Sequence, residues 1–287
     1  MRTKGTIILA LATASLGTTT ADAQTRGGFE VGAELFDYSY REELDKEDIV
    51  FDDGIFGGLH VSYVETLGGG WFARARLLAT TGSVDYRSTG SGLIDPGNPD
   101  LGPGARLNNV DQQIGRLELT AGRDFPIGGG ATLTPFTGFA ARVLTDNSGG
   151  LETEDGFLGY DREISYGYVP LGLAASVPIG GSSRLLLSAQ YNWVVNGKAE
   201  SKFSKIDPEA PDVKLDLDSG HGLEASALLE LPVGRHAISF GPFVRRWDID
   251  QSDSFVIFNP EDPTEGLEFS EPKNRTTEFG LRVSFAF

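Results

Sequence analysis

Arg184-Leu-Leu-Leu-Ser-Ala-Gln-Tyr-Asn-Trp-Val-Val195 puts Leu185, Leu187, Ala189, Tyr191, Trp193 and Val195 on one parity, with Ser188, Gln190 and Asn192 between them. Successive side chains of an extended chain point to opposite faces, so this segment has one apolar and one polar face. The pattern recurs as Phe279, Leu281, Val283, Phe285 and Phe287 against Glu278, Arg282 and Ser284. It recurs as Trp71, Ala73, Ala75 and Leu77 against Arg74 and Arg76, and as Leu223, Ala225, Ala227, Leu229 and Leu231 against Glu224, Ser226 and Glu230. Weaker versions run through Phe29–Tyr40, Ile55–Glu65, Ile114–Phe125, Leu133–Leu144, Ile164–Val177 and Ala237–Ile249. Ten strands result, each near the roughly 9–11 residues that a tilted membrane strand needs.

The connections alternate in length. Short Gly/Pro turns are expected at Thr66–Gly70, Pro126–Gly130, Pro178–Ser183 and Pro232–His236. Long polar loops are expected at 41–54, 85–111, 145–163, 196–219 and 248–274, with Ser88–Pro103 rich in Gly, Ser, Pro and Asp. Short and long connections in strict alternation describe an all-β, transmembrane, antiparallel up-and-down barrel with one short rim and one long rim. The count is about ten, with eight or twelve as the neighbouring even numbers. A β-sandwich shares the turn-rich composition but does not segregate loop lengths in this way. Two features strain the assignment. Pro135, Pro170 and Pro242 fall inside strands, where bulges or shifted boundaries are expected. The apolar parity also shifts at Phe36–Tyr40 and Phe243–Ile249, as one bulge would cause.

The 287-residue chain carries a formal charge of −17, no Cys and three His. A phosphate backbone needs a basic surface, so nucleic acid is excluded as a partner. Without thiols there is no disulfide framework, and no metal or other cofactor is expected. Arg2 and Lys4, the apolar run Thr6–Leu16 and the small residues Ala21-Asp22-Ala23 read as a secretory signal over residues 1–23, leaving 24–287 as the barrel domain. The run is too short to cross a bilayer as a helix.

The polar parity is heavily charged. It holds Arg74, Arg76, Arg116, Glu118, Arg142, Glu224, Glu230, Glu278 and Arg282. In a membrane barrel the apolar face meets lipid and these charges face the lumen, where they must pair. Aromatic residues near strand ends, namely Tyr38, Tyr40, Tyr63, Trp71, Phe125, Tyr191, Trp193 and Trp247, are expected to form interfacial girdles. The five long loops hold 31 of the 40 acidic residues beyond position 23 and 10 of the 22 basic ones. Such an acidic crown disfavours anions and favours cationic partners. Asp248, Asp250 and Asp253 could touch a calcium ion but lack the EF-hand pattern, and a solvated charged face is the expectation there.

The ending Phe279-Gly-Leu-Arg-Val-Ser-Phe-Ala-Phe287 resembles the C-terminal signal of Gram-negative outer-membrane β-barrel proteins. The resemblance covers one strand closely and the rest by architecture. It implies location in the outer membrane, contact with outer-membrane lipid and lipopolysaccharide, and recognition of Phe279, Leu281, Val283, Phe285 and Phe287 by the barrel-assembly machinery. Three functions then compete. The first is a structural or surface-interaction barrel with a charge-paired lumen and no enzymatic activity. The second is a small porin in which Arg74, Arg76, Arg116, Arg142, Arg246 and Arg282 line a path for solutes. The third is suggested by a resemblance in size to the omptin proteases, which use an Asp pair facing an Asp–His pair. Asp85 would then face Asp216, Asp218 and His221, although Ser83 and Arg87 stand where a second Asp is needed beside Asp85.

Overall fold

The computed structural model describes residues 27–89, 105–153, 158–206, 208, 210–258 and 266–287. The signal expected over residues 1–23 and most of the Ser88–Pro103 loop lie outside the described residues. Ten long strands build the wall: β1 (Gly28–Leu44), β2 (Glu47–Gly68), β3 (Trp71–Ser88), β4 (Arg106–Arg123), β5 (Ala131–Asn147), β6 (Asp161–Gly180), β7 (Ser183–Lys202), β8 (Gly220–Val233), β9 (His236–Ile249) and β10 (Lys273–Ala286). Each is antiparallel to the next, and β10 returns to β1 in a ladder from Glu30↔Ala286 to Glu43↔Lys273. The sheet is therefore closed, which leaves no free edge. Phe125–Gly128 pairs with β5, Val213–Asp216 pairs with β7, and Phe255–Phe258 forms a separate hairpin with Gly266–Phe269.

The short rim is built as expected. Gly68, Gly69 and Gly70 all have φ between 60° and 81°, a region open to glycine at little cost. The long rim departs from expectation. The stretch 41–54 is strand rather than loop: β1 and β2 run on to a two-residue turn at Asp45 and Lys46, with φ of 52° and 71°. That is the positive-φ geometry of a tight hairpin. β2 thus reaches 22 residues, about twice what a bilayer needs.

The surplus length changes which face is buried. Along β1, Phe29, Val31, Ala33 and Leu35 point outward, and the next outward residue is Asp37. The other strands repeat this. Ile55, Ala79, Leu117, Val143, Val195, Val244 and Phe279 give way outward to Asp53, Asp85, Asp111, Asn147, Lys198, Arg246 and Arg275. Below that boundary the outside is apolar and the lumen charged. Above it the outside is charged, and the inside holds Tyr38, Tyr40, Val50, Val84, Val110, Ile164, Leu217, Trp247 and Ile249 in one apolar cluster. The wall leaves lipid for water at this level, so its apolar side must turn inward.

This inversion corrects two expectations. The parity change at Phe36–Tyr40 and Phe243–Ile249 involves no bulge, because the registers of β1 with β10 and of β9 with β10 run unbroken through both. Tyr38, Tyr40 and Trp247 are not girdle residues. They are 0%, 2% and 1% exposed inside the head, whereas Tyr63, Trp71, Phe125, Tyr191 and Trp193 do lie on the outer surface.

Of the three strand prolines, Pro170 has a bulge close by, where the β6–β7 register shifts between Gly167 and Tyr168, and Pro135 and Pro242 have none. Around Pro170 the β5–β6 ladder steps from Thr137↔Leu171 to Ala140↔Tyr168, with two pairs missing and the register kept. Around Pro242 the β8–β9 ladder steps from Ser226↔Phe243 to Leu229↔Phe240 in the same way. Around Pro135 pairing with the fourth wall segment steps from Gly122↔Phe136 to Phe125↔Leu133. Each proline lacks an N–H, and one neighbouring ladder opens there to match.

Inward aromatic rings are seated on glycines. Phe56 faces Gly82, Phe72 faces Gly122, Phe136 faces Gly172 and Trp247 faces Gly222 as direct cross-strand partners. A Cβ built on Gly172 would lie 2.0 Å from Phe136 Cζ. Gly172→Ala must therefore displace the ring, and should lower stability by about 1–3 kcal/mol. Gly115→Ala, where a Cβ meets nothing within 4 Å, is the control. Urea midpoints of the refolded protein in detergent measure both, and equal midpoints would remove the seating argument.

Candidate functional site

Inside the belt, seven strands aim charged side chains at one another. β1 supplies Glu34, β3 Arg76, β4 Arg116 and Glu118, β5 Arg142, β8 Glu224, β9 Arg245, and β10 Glu278 and Arg282. Their inward direction follows from strand parity alone, because each lies an even number of residues from an inward aromatic or small residue of its own strand.

Glu34 is the hub. Its Oε1 accepts from Arg76 Nη2 at 2.8 Å and from Arg282 Nε at 2.7 Å, and its Oε2 accepts from Arg245. Glu224 accepts from Arg116 Nη2 at 3.0 Å and from Arg282 Nη2 at 3.2 Å. Glu278 accepts from Arg142 Nη2 at 3.2 Å and from Arg245 Nη1 at 2.6 Å. Glu118 accepts from Arg116 Nη2 at 2.6 Å and from the Tyr168 hydroxyl at 2.8 Å. Five guanidinium groups and four carboxylates thus form one web. Rings cap it: Arg245 lies 4.2 Å from the Phe243 centroid, and Arg142 and Arg116 lie 5.7 and 5.8 Å from the Trp247 ring.

The side chains of Glu34, Arg245 and Glu278 are at most 1% exposed. Charges so placed need partners, since the desolvation of each is worth several kcal/mol. The gap bounded by Arg76, Leu78, Arg116 and Glu118 does not admit a water molecule. Each of the five guanidinium groups donates to at least one of the four carboxylates, and Arg142 Nη1 also donates to the Tyr166 hydroxyl at 3.0 Å.

Of the nine lumen residues expected from sequence, Arg76, Arg116, Glu118, Arg142, Glu224, Glu278 and Arg282 meet in this web. Arg74 lies nearer the short rim, with its guanidinium 5.3 Å over the Phe72 ring. Glu230 also lies toward that rim, register-paired with Arg184. Two members were missed, Glu34 and Arg245. Arg246 was expected inside, but it faces outward and binds Asp248 at 2.8 Å. The alternation Phe243-Arg245-Trp247 carried the signal for Arg245, and the run Glu30-Gly32-Glu34 carried that for Glu34.

The residues of the hydrolase reading are not brought together. Asp85 on β3 and His221 at the start of β8 both point outward, five strands apart in a ring of ten. His221 stacks on Tyr191 at 6.0 Å, and Asp85 accepts from the Asn109 backbone N–H at 3.4 Å. Asp216 lies 3.6 Å from Lys198 on the outer surface, and Asp218 is exposed. Asp248 is held by Arg246 and Arg275, and Asp250 accepts from Ser219 Oγ at 2.7 Å. Among the described residues no three acidic or histidine side chains converge as a cation site. The outward residues Phe279, Leu281 and Val283 of β10, with Phe287 beyond it, are all about half exposed or more.

Neutralising the hub tests the web. Glu34→Gln leaves five guanidinium groups facing three carboxylates and should cost about 3–5 kcal/mol. Pairing it with Arg245→Met should recover part of that loss, since the two changes share a contact. Urea denaturation of the refolded barrel provides the midpoints, and a Glu34→Gln midpoint equal to the native one would sink the hub assignment.

No family model matches this sequence, and no curated protein matches it either. Solved outer-membrane barrels align with this chain to different degrees. The outer membrane protease OmpT from Escherichia coli aligns with a TM-score of 0.57 and 12% identity, over 93% of this chain and 100% of that one. The translocator domain of the autotransporter NalP from Neisseria meningitidis aligns at 0.36 and 11%, over 92% and 91%. A deletion mutant of the monoaromatic hydrocarbon channel TodX aligns at 0.36 and 10%, over 91% of each. At these identities the likeness is one of fold: this chain is a closed, ten-strand transmembrane β-barrel of the type found in outer-membrane proteins.

Proposed function

We propose that this chain is an integral outer-membrane protein with a sealed lumen, whose role is structural or surface-interacting and resides in its extracellular head. The observation that carries this is the buried Arg/Glu web filling the barrel at belt level. The aromatic and aliphatic cluster directly above supports it, since a solute would have to displace both layers. The head is acidic outside, so cationic partners are its natural ligands. The belt would rest against outer-membrane lipid and lipopolysaccharide, with the Phe279–Phe287 strand serving the barrel-assembly machinery.

The porin reading is weaker because its arginines are all spoken for by glutamates, apart from Arg74 and the outward Arg246. The peptidase reading is weaker because Asp85 and His221 lie outside opposite walls. Conductance of the refolded protein in planar bilayers tests the proposal. The expected result is a silent membrane with folding confirmed by heat-modifiable gel migration. Stable, reproducible conductance steps would overturn it in favour of a porin.

A further inference from the structure

Above the belt, the inside of the head gathers acidic side chains from distant strands. Glu42 comes from β1, Asp52 from β2, Asp146 from β5 and Glu271 from the segment leading into β10. A single guanidinium, Arg162 of β6, donates to both Glu42 and Glu271. Gln112 of β4 donates through Nε2 to Asp52 Oδ2 at 2.9 Å and to Asp146 Oδ2 at 2.8 Å. One amide nitrogen thus holds two carboxyl groups side by side. Glu42, Asp52 and Glu271 are 5%, 4% and 4% exposed.

The count of charges does not balance. Fully ionised, four carboxylates would face one guanidinium, with three of the four carboxylates buried and Asp146 half-buried. Buried charge of that excess is not tolerated without a further cation or protons. The hydrogen bonds point to protons. Asp52 Oδ1 and Gln112 Oε1 are both buried acceptors without a partner. A proton on Asp52 converts an acceptor into the donor that the cluster lacks. No cage for a metal is formed among the described residues.

We propose that this cluster is a proton-binding latch, in which protonated carboxyl groups tie the β1–β2 hairpin across the head to β4, β5 and β6, and ionisation loosens the mouth. The other groups facing it are Tyr38 and Tyr40 of β1, Tyr86 of β3, Tyr160 ahead of β6, and Arg142 and Glu278 of the web below. Tyr40 donates its hydroxyl to Glu42 at 2.9 Å, and the Ser148 backbone N–H donates to Asp146 Oδ1 at 2.9 Å. Burial, with Asp146 and Glu42 nearby, pushes Asp52 up to about 7. Burial also raises Asp146, and it raises Glu271 to about 7 against the pull of Arg162. A carboxyl raised on folding binds more protons in the folded state. Its stabilisation is complete below the ordinary value near 4 and is lost as pH rises from about 4 to about 7.

Hydrogen–deuterium exchange of the refolded full-length protein in detergent, with EDTA throughout, tests the latch. Protection factors for the Glu42–Asp53 hairpin should fall about tenfold between pH 5.5 and pH 8.5, the scale of one proton's linkage. Belt segment Ala73–Ala79 should hold its protection at both. The variants Asp52→Asn and Asp146→Asn keep the shape and a neutral amide, so each should fold and show a flattened pH response in the hairpin. A pH-independent hairpin in the native protein overturns the proposal. So does an undiminished response in the combined Asp52→Asn, Asp146→Asn protein. Loss of protection at pH 5.5 on adding EDTA to a sample prepared without it would overturn it as well, since a metal would then hold the cluster.

Discussion

A strand that begins in lipid and ends in water has to bury opposite faces along its length. β1 does this within a few residues: Leu35 is 60% exposed to the outside, while Phe36 beside it is 2% exposed and Tyr38 is fully enclosed. β9 repeats it, with Phe240 and Val244 outside and Phe243, Trp247 and Ile249 within. The hydrophobic effect acts on both halves, but the medium outside the wall differs. In the belt, lipid solvates the apolar side chains and the lumen is left to charged groups. In the head, water solvates the charged side and the apolar groups must collect in the middle.

The lower half then faces a problem that the upper half does not. A lumen of ten strands is too narrow for free water around nine large charged side chains, so each charge has to find a counter-charge within the web, mostly on other strands. Glu34 answers to Arg76, Arg245 and Arg282, which come from β3, β9 and β10. The bond to Arg282 follows the β1–β10 ladder, where the two residues are register partners, whereas those to Arg76 and Arg245 tie β1 to strands with which it shares no ladder. Glycines opposite the inward rings make the remaining room. The far end of the Phe136 ring sits where a methyl group on Gly172 would be. The wall also tolerates Pro135, Pro170 and Pro242, since in each case two pairs of one ladder open and that ladder resumes in the same register.

The head works under the reverse condition. Its interior is mostly apolar, and the few polar groups it encloses are therefore exposed to a low dielectric. Gln112 bridging Asp52 and Asp146 is one result, and Arg162 shared by Glu42 and Glu271 is another. The web below and the cluster above differ in charge balance. Guanidinium groups outnumber carboxylates in the first, and carboxylates outnumber guanidinium groups in the second.

The barrel itself was legible in the sequence, because period-two alternation is a local property that Leu185–Val195 and Phe279–Phe287 display without reference to any neighbour. The short turns were legible for the same reason, as glycine clusters mark positive φ. Most of the charged lumen followed from parity, including Arg116, Glu118 and Glu224. What failed was the assumption that one parity stays apolar from end to end, which placed Arg246 inside in place of Arg245 and Tyr38 in an outer girdle. Pairing is not written in one dimension either: nothing near Glu34 announces Arg245, which lies 211 positions away. Strand direction and face were thus set by the sequence alone, since each depends on adjacent residues. Which medium each face meets, and which charges meet across the lumen, were decided only when ten strands closed into a wall of a given height and width.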